Sequence, residues 1–116
     1  MIRPLFKDKV VQREFAQLDT RLMHVIDFMS EVAWVLWRDI LVITSIKRND
    51  GTTHDGPKPY RFIDLAILEH GGVDGTRMLR DMTNTAFPYD TLRPHMETVD
   101  KLRHGTAPHM HVQVRP

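Results

Sequence analysis

From Phe15 onward, apolar residues recur at Leu18, Leu22, Val25, Met29, Val32 and Leu36, in alternating steps of three and four. Side chains at that spacing share one helical face, so the pattern predicts an amphipathic helical segment from about Gln12 to Arg38. Asp19 is a suitable internal N-cap and divides the segment into two helices. Ile40 to Ser45 (ILVITS) is short and β-branched and reads as a buried strand. Arg48 to Pro59 (RNDGTTHDGPKP) is a loop on composition. Arg61 to Ile67 (RFIDLAI) reads as a second strand, and Gly71 and Gly72 then interrupt the chain. Val73 to Thr85 is expected to be a helix, with Asp74 near its start and Met78, Leu79 and Met82 facing inward. Phe87 to Gly105 shows no regular period and is read as irregular. His109 to Val114 (HMHVQV) alternates polar and apolar residues as a third strand does.

Helices leading into strands through short connections predict an α+β fold. N-terminal helices pack on one face of a small, mostly antiparallel sheet, and the other face is left open to a substrate. A chain of 116 residues holds one such domain, residues 1–116. The formal charge of +1 and the lack of a Lys/Arg block argue against a surface built to grip nucleic acid phosphates. Charges interrupt every apolar stretch, so no membrane-spanning segment and no signal-peptide core is expected. A product made in the cytoplasm would then need a separate delivery route to act outside it. The chain has no cysteine, which excludes thiolate zinc sites and leaves His, Asp and Glu as metal ligands.

Strand parity brings candidate chemistry into view. On the last strand His109, His111, Gln113 and Arg115 fall on one face, and Met110, Val112 and Val114 on the other. Two histidines so placed can simply be solvent-facing residues of an edge strand. Asp64, between Ile63 and Leu65 and on the face shared with Phe62 and Ala66, needs a partner or a ligand amid its apolar neighbours. His54 lies in the Gly/Pro loop that leads into that strand. A loop His, a strand Asp and a His-x-His strand together make a His₂Asp donor set, which leaves a zinc ion's fourth position for water.

LVITSIKRNDGTTH, then RFIDLAI, then APHMHVQV resembles the zinc D-Ala-D-Ala carboxypeptidase and L-alanyl-D-glutamate endopeptidase family, phage lysins included. Members carry a strand ending in a Thr-Ser-x-x-Arg turn, then a His, an Asp within an apolar strand, and a His-x-His near the C-terminus. The resemblance runs from about Leu41 to Val114. It implies His54, Asp64 and His111 as Zn²⁺ ligands, His109 as a catalytic histidine that does not bind the metal, and Arg48 as the group that steadies substrate or a developing oxyanion. The implied activity is hydrolysis of amide bonds in a peptidoglycan stem peptide or another D-amino-acid-containing peptide, with delivery to the wall by a phage release system or a virion. The chain departs from the family in three places. Ten positions separate His54 from Asp64, more than is usual; Ile46 and Lys47 replace small turn residues; and Pro108 stands where some relatives place a Glu base, which leaves that work to His109 or Glu97.

Other readings remain open. HMHVQV also resembles the strand motif of histidine-triad nucleotide hydrolases, although no Asn-bearing strand precedes it and His54 and Asp64 are left without a role. A rolling-circle nuclease needs a helical tyrosine downstream of its histidines, and Tyr60 and Tyr89 lie upstream. A catalytically inactive zinc-binding structural module of phage origin fits the altered turn and the long His–Asp spacing. His24, His70, His95 and His104 are read as surface or packing residues, and Trp34 and Trp37 as core rather than as a stacking platform.

Overall fold

The computed structural model describes residues 2–47, 60–100 and 109–115. Its elements are β1 (Leu5–Phe6), α1 (Lys9–Phe15), α2 (Thr20–Trp37), β2 (Val42–Lys47), β3 (Phe62–Ala66), α3 (Gly72–Ala86) and β4 (His109–Gln113). The strands form one mixed open sheet in the order β1-β2-β3-β4, with β1 parallel to β2 and the other two pairings antiparallel. The α+β class expected from the sequence is thus present. Among the described residues, no helix is long and apolar enough to cross a membrane.

The long N-terminal segment divides where Asp19 predicted. Asp8 caps α1 and Asp19 caps α2, each accepting a backbone amide hydrogen bond with its side chain. The junction also fastens to the sheet. Asp19 donates its amide to the Tyr60 carbonyl at 2.8 Å, and Tyr60 donates to the Gln17 carbonyl at 2.9 Å, immediately before β3. The helix end at Arg38 adopts a left-handed φ of 55°, which lets the Asp39 amide reach back to the Ala33 carbonyl.

One apolar cluster joins Leu22, Val25, Ile26, Met29 and Ala33 of α2 to Ile43, Ile46, Ile63, Leu65, Met110 and Val112 of the sheet. The buried stripe of α2 is therefore rotated from the expected one: Ile26 and Ala33 are fully buried, whereas Leu36 is half exposed. In α3 the expectation fails for two of three residues. Leu79 is buried, but Met78 and Met82 are 54% and 37% exposed. The inward face of α3 is Gly75, Thr76, Leu79 and Thr83 instead. Thr76 and Thr83 can be buried because each donates its hydroxyl to the carbonyl one turn back, at Gly72 and Leu79.

Three strand features were not expected. β1 is a short additional edge strand. β2 begins at Val42 and extends through Ser45 and Ile46 to Lys47, where the family resemblance implied a turn. Within Phe87–Gly105, the described residues are turns, bends and irregular chain, but Val99 pairs with Val112 on the free side of β4. Asp100 donates to the His111 carbonyl and Gln113 donates to the Thr98 carbonyl, so β4 is flanked on both sides.

Candidate functional site

The second face of the sheet carries the polar residues. In the β3–β4 ladder, Ile63 opposes Val112 and Leu65 opposes Met110, and these four side chains are buried in the core. Between them, Phe62 opposes Gln113, Asp64 opposes His111 and Ala66 opposes His109. Alternation along a strand then places Asp64, His109 and His111 together on the face away from the core, as sequence parity required. Arg115 lies beyond the strand end and is exposed.

Asp64 and His111 meet directly. Asp64 Oδ1 lies 2.9 Å from His111 Nδ1, and the two side chains are only 8% and 13% exposed. An ionised carboxylate can only accept, so Nδ1–H is the donor and the ring's second nitrogen, Nε2, carries no proton when the imidazole is neutral. The second carboxylate oxygen is engaged too: Ser45 Oγ donates to Asp64 Oδ2 at 2.9 Å. Phe62 stacks on the imidazole, with ring centroids 5.6 Å apart and planes 26° from parallel, and the Arg61 guanidinium lies over the Phe62 ring, 5.2 Å from its centroid. Ring packing and a hydrogen bond together fix the orientation of His111. His109 is half-buried, and Asp100 occupies the register position beside His111 on the opposite side from Asp64.

The structure thus brings together Asp64 and His111 and puts His109 on the same face, two register positions along. Arg48 and His54 lie outside the described residues. Among the described residues no group of three or more His, Asp or Glu side chains is arranged to hold a metal ion. The donor chemistry of the pair nevertheless suits zinc, which takes imidazole nitrogen and carboxylate oxygen at about 2.0–2.2 Å. Ligand atoms on one tetrahedral ion with such bonds stand roughly 3.3 Å apart, and the Asp64–His111 separation of 2.9 Å needs only a slight opening to match.

Sequence reasoning missed Ser45 as part of this site. Simple alternation along ILVITS puts Ser45 on the same face as Ile43, in the core. In the structure Ile43 pairs with Leu65 but Ser45 pairs with Asp64, so β2 carries one extra residue at Thr44. This bulge turns Ser45 to the polar face and lets Ile46 rejoin Ile43 in the core. Neighbouring β-branched residues gave no signal of it.

A cleft of about 270 Å³ lies elsewhere, lined by Arg21, Val25, Phe87, Tyr89, Thr98 and Arg115 among others, and neither Asp64 nor His111 borders it. His24 and His95 are exposed, as expected for surface residues. Trp37 is half-buried and packs against α3, in accord with a structural role. Comparison with known protein families, with curated proteins and with solved structures returns no match for this chain.

Proposed function

We propose that the protein is a zinc-dependent peptidase acting on amide bonds of peptidoglycan stem peptides or related D-amino-acid-containing peptides. The observation that carries this reading is the meeting of Asp64 and His111 at 2.9 Å on the sheet face they share with His109. Asp64 and His111 would hold the ion together with His54, the third donor implied by the family resemblance. Bound zinc supplies Lewis-acid polarisation of the scissile carbonyl and a more acidic attacking water.

The remaining work falls to the chain's own side chains. His109, two residues from His111 on the same strand face, accepts a proton as water attacks and returns it to the leaving amine. Arg48 stabilises the negative charge that develops on the carbonyl oxygen. Phe62, stacked on His111, keeps that ring from swinging out of line and shields the pair from water, which strengthens the electrostatics there.

A second reading is favoured by one feature of the same pair. Because Nδ1 of His111 donates to Asp64, Nε2 is the nitrogen with a free lone pair, and an Asp–His dyad of this kind can serve as a general base without a metal. A histidine-triad-like nucleotide hydrolase would use its strand histidines in that way. A zinc-binding module without catalytic activity would keep the pair and lack turnover.

The test is metal content and hydrolysis, measured side by side. Purified wild type is expected to hold one zinc per chain, with Asp64→Ala and His111→Ala losing it. Wild type is expected to cleave muropeptides, and His109→Ala to keep the ion while losing turnover. Equal zinc in wild type and Asp64→Ala, or none in either, ends the metallopeptidase reading. Metal-independent nucleotide cleavage that needs His111 establishes the dyad in its place, and stoichiometric zinc with no muropeptide cleavage establishes the inactive module.

A further inference from the structure

We propose that Ser45 is a positioning residue of the candidate site: its hydroxyl locks the Asp64 carboxylate in the rotation that turns Oδ1 toward His111. The inference deepens the metal-site reading above and rests on it for its consequence in metal affinity. Its geometric part stands on the hydrogen bonds alone.

A carboxylate is a soft element in any site. The terminal torsion of an aspartate is broad and roughly two-fold, so packing alone does not fix where its two oxygens point. At Asp64 both oxygens are specified. Oδ2 accepts the Ser45 hydroxyl at 2.9 Å, and Oδ1 is left for His111 Nδ1 at 2.9 Å. With one oxygen held on the β2 side, the other faces β4. Strand register, with the β2 bulge, puts these groups in one transverse row, Ser45 on β2, Asp64 on β3 and His111 on β4.

The main chain of Asp64 is held from the same place. Thr44, the extra residue of the β2 bulge, donates its hydroxyl to the Asp64 carbonyl at 3.3 Å. The two consecutive hydroxyl residues of the bulge therefore grip one aspartate, Thr44 at the backbone and Ser45 at the carboxylate. Without the bulge Ser45 would point into the apolar core, where its hydroxyl would have to find another acceptor. Bulges re-aim side chains near functional sites, and here the residue re-aimed is the one that touches Asp64.

Hydrogen bonds from a hydroxyl to an ionised carboxylate are among the stronger ones. Their loss next to a metal ligand typically weakens metal binding by roughly 10–100-fold.

The experiment has two arms, on wild type, Ser45→Ala, Ser45→Thr and Asp64→Ala. In the first, Zn²⁺ is titrated calorimetrically into the metal-free proteins. Ser45→Ala is expected to raise Kd by roughly 10–100-fold, Ser45→Thr to restore most of the affinity, and Asp64→Ala to abolish binding. In the second arm, ring ¹⁵N shifts of His111 are read in the metal-free proteins. Wild type is expected to show a protonated Nδ1, and Ser45→Ala to move the ring toward the Nε2–H tautomer. If Ser45→Ala fails to fold, Ser45→Cys takes its place, having nearly the same size and a far weaker donor. An unchanged Kd together with an unchanged tautomer overturns the role given to Ser45 while leaving the metal site standing. If wild type binds no zinc, or Asp64→Ala binds as tightly, the metal reading falls, and the His111 tautomer alone decides for or against Ser45.

Discussion

His111 presents Nδ1, not Nε2, to the Asp64 carboxylate, and the 2.9 Å contact fixes a proton on that nitrogen. A cation coordinated through Nδ1 needs that proton moved to Nε2, a change of tautomer with no net release from a neutral ring. Ring ¹⁵N shifts of His111 are therefore expected to show Nδ1–H in the zinc-free protein and Nε2–H in the zinc-loaded one. An Nδ1–H kept in the loaded protein would place the ion on Nε2, with Asp64 kept as the hydrogen-bond acceptor that orients the ring.

Asp39 serves α3 from far away in sequence. The N-cap of α3, Gly71, has no side chain to cap the helix, and the buried Asp39 carboxylate accepts the Gly71 amide at 2.8 Å and the His70 amide at 2.9 Å. Asp39→Ala strands both amides and is expected to destabilise the fold by about 1–3 kcal/mol. Asp39→Asn, which keeps one accepting oxygen, should lose less. Urea unfolding of the three proteins checks the order, and equal stability of Asp39→Ala and wild type would rule out the cap.

Helices α2 and α3 approach closely through Trp37 and Gly75. A methyl group at Gly75 would lie 3.1–3.3 Å from three atoms of the indole, a wide and rigid neighbour. Alanine in place of glycine inside a helix gains up to about 1 kcal/mol of propensity, whereas overpacking costs about 1–3 kcal/mol. Gly75→Ala should therefore be net destabilising by roughly 1 kcal/mol. The Trp37→Leu background should remove or reverse that loss. A double-mutant cycle by thermal unfolding measures the coupling, and a stabilised Gly75→Ala in the wild-type background refutes the contact.

Asp19 links stability to acid. The Arg21 side-chain hydrogen bond, with smaller contributions from the Arg21 amide and charge, holds its carboxyl below the usual aspartate value. Its contribution is then complete above the unfolded pKa of about 3.9 and is lost as the pH falls through the lower folded value. Asp19→Ala is expected to cost about 1 kcal/mol at neutral pH through loss of the α2 cap. That difference should narrow below about pH 4, as seen by chemical unfolding at several pH values. A gap that widens in acid would contradict the assigned shift.

The sequence read well where one signal determined the outcome. Steps of three and four built α2, Asp19 marked its start, and strict alternation placed His109 and His111 opposite the core face of β4. It read poorly where small or hydroxyl-bearing residues do the packing. In α3 the methionines drew the expected face outward, because Gly75, Thr76 and Thr83 carry little hydrophobic signal, yet they admit Trp37 and satisfy their own hydroxyls along the helix. The bulge at Thr44 is a property of how β2 pairs with β3, so no period within ILVITS could reveal that Ser45 reaches Asp64. Arg48 and His54 lie outside the described residues, and their roles rest on the resemblance.

Pairing of Val99 with Val112 has a consequence for how copies of this chain behave in company. An uncovered β4 would offer its backbone amides and carbonyls as a template on which a neighbouring molecule could add a strand. The 98–100 segment laid along β4 covers part of that template. The same covering strip holds the rear of the strand that bears His111, so one short piece of chain both covers a sheet edge and steadies the imidazole.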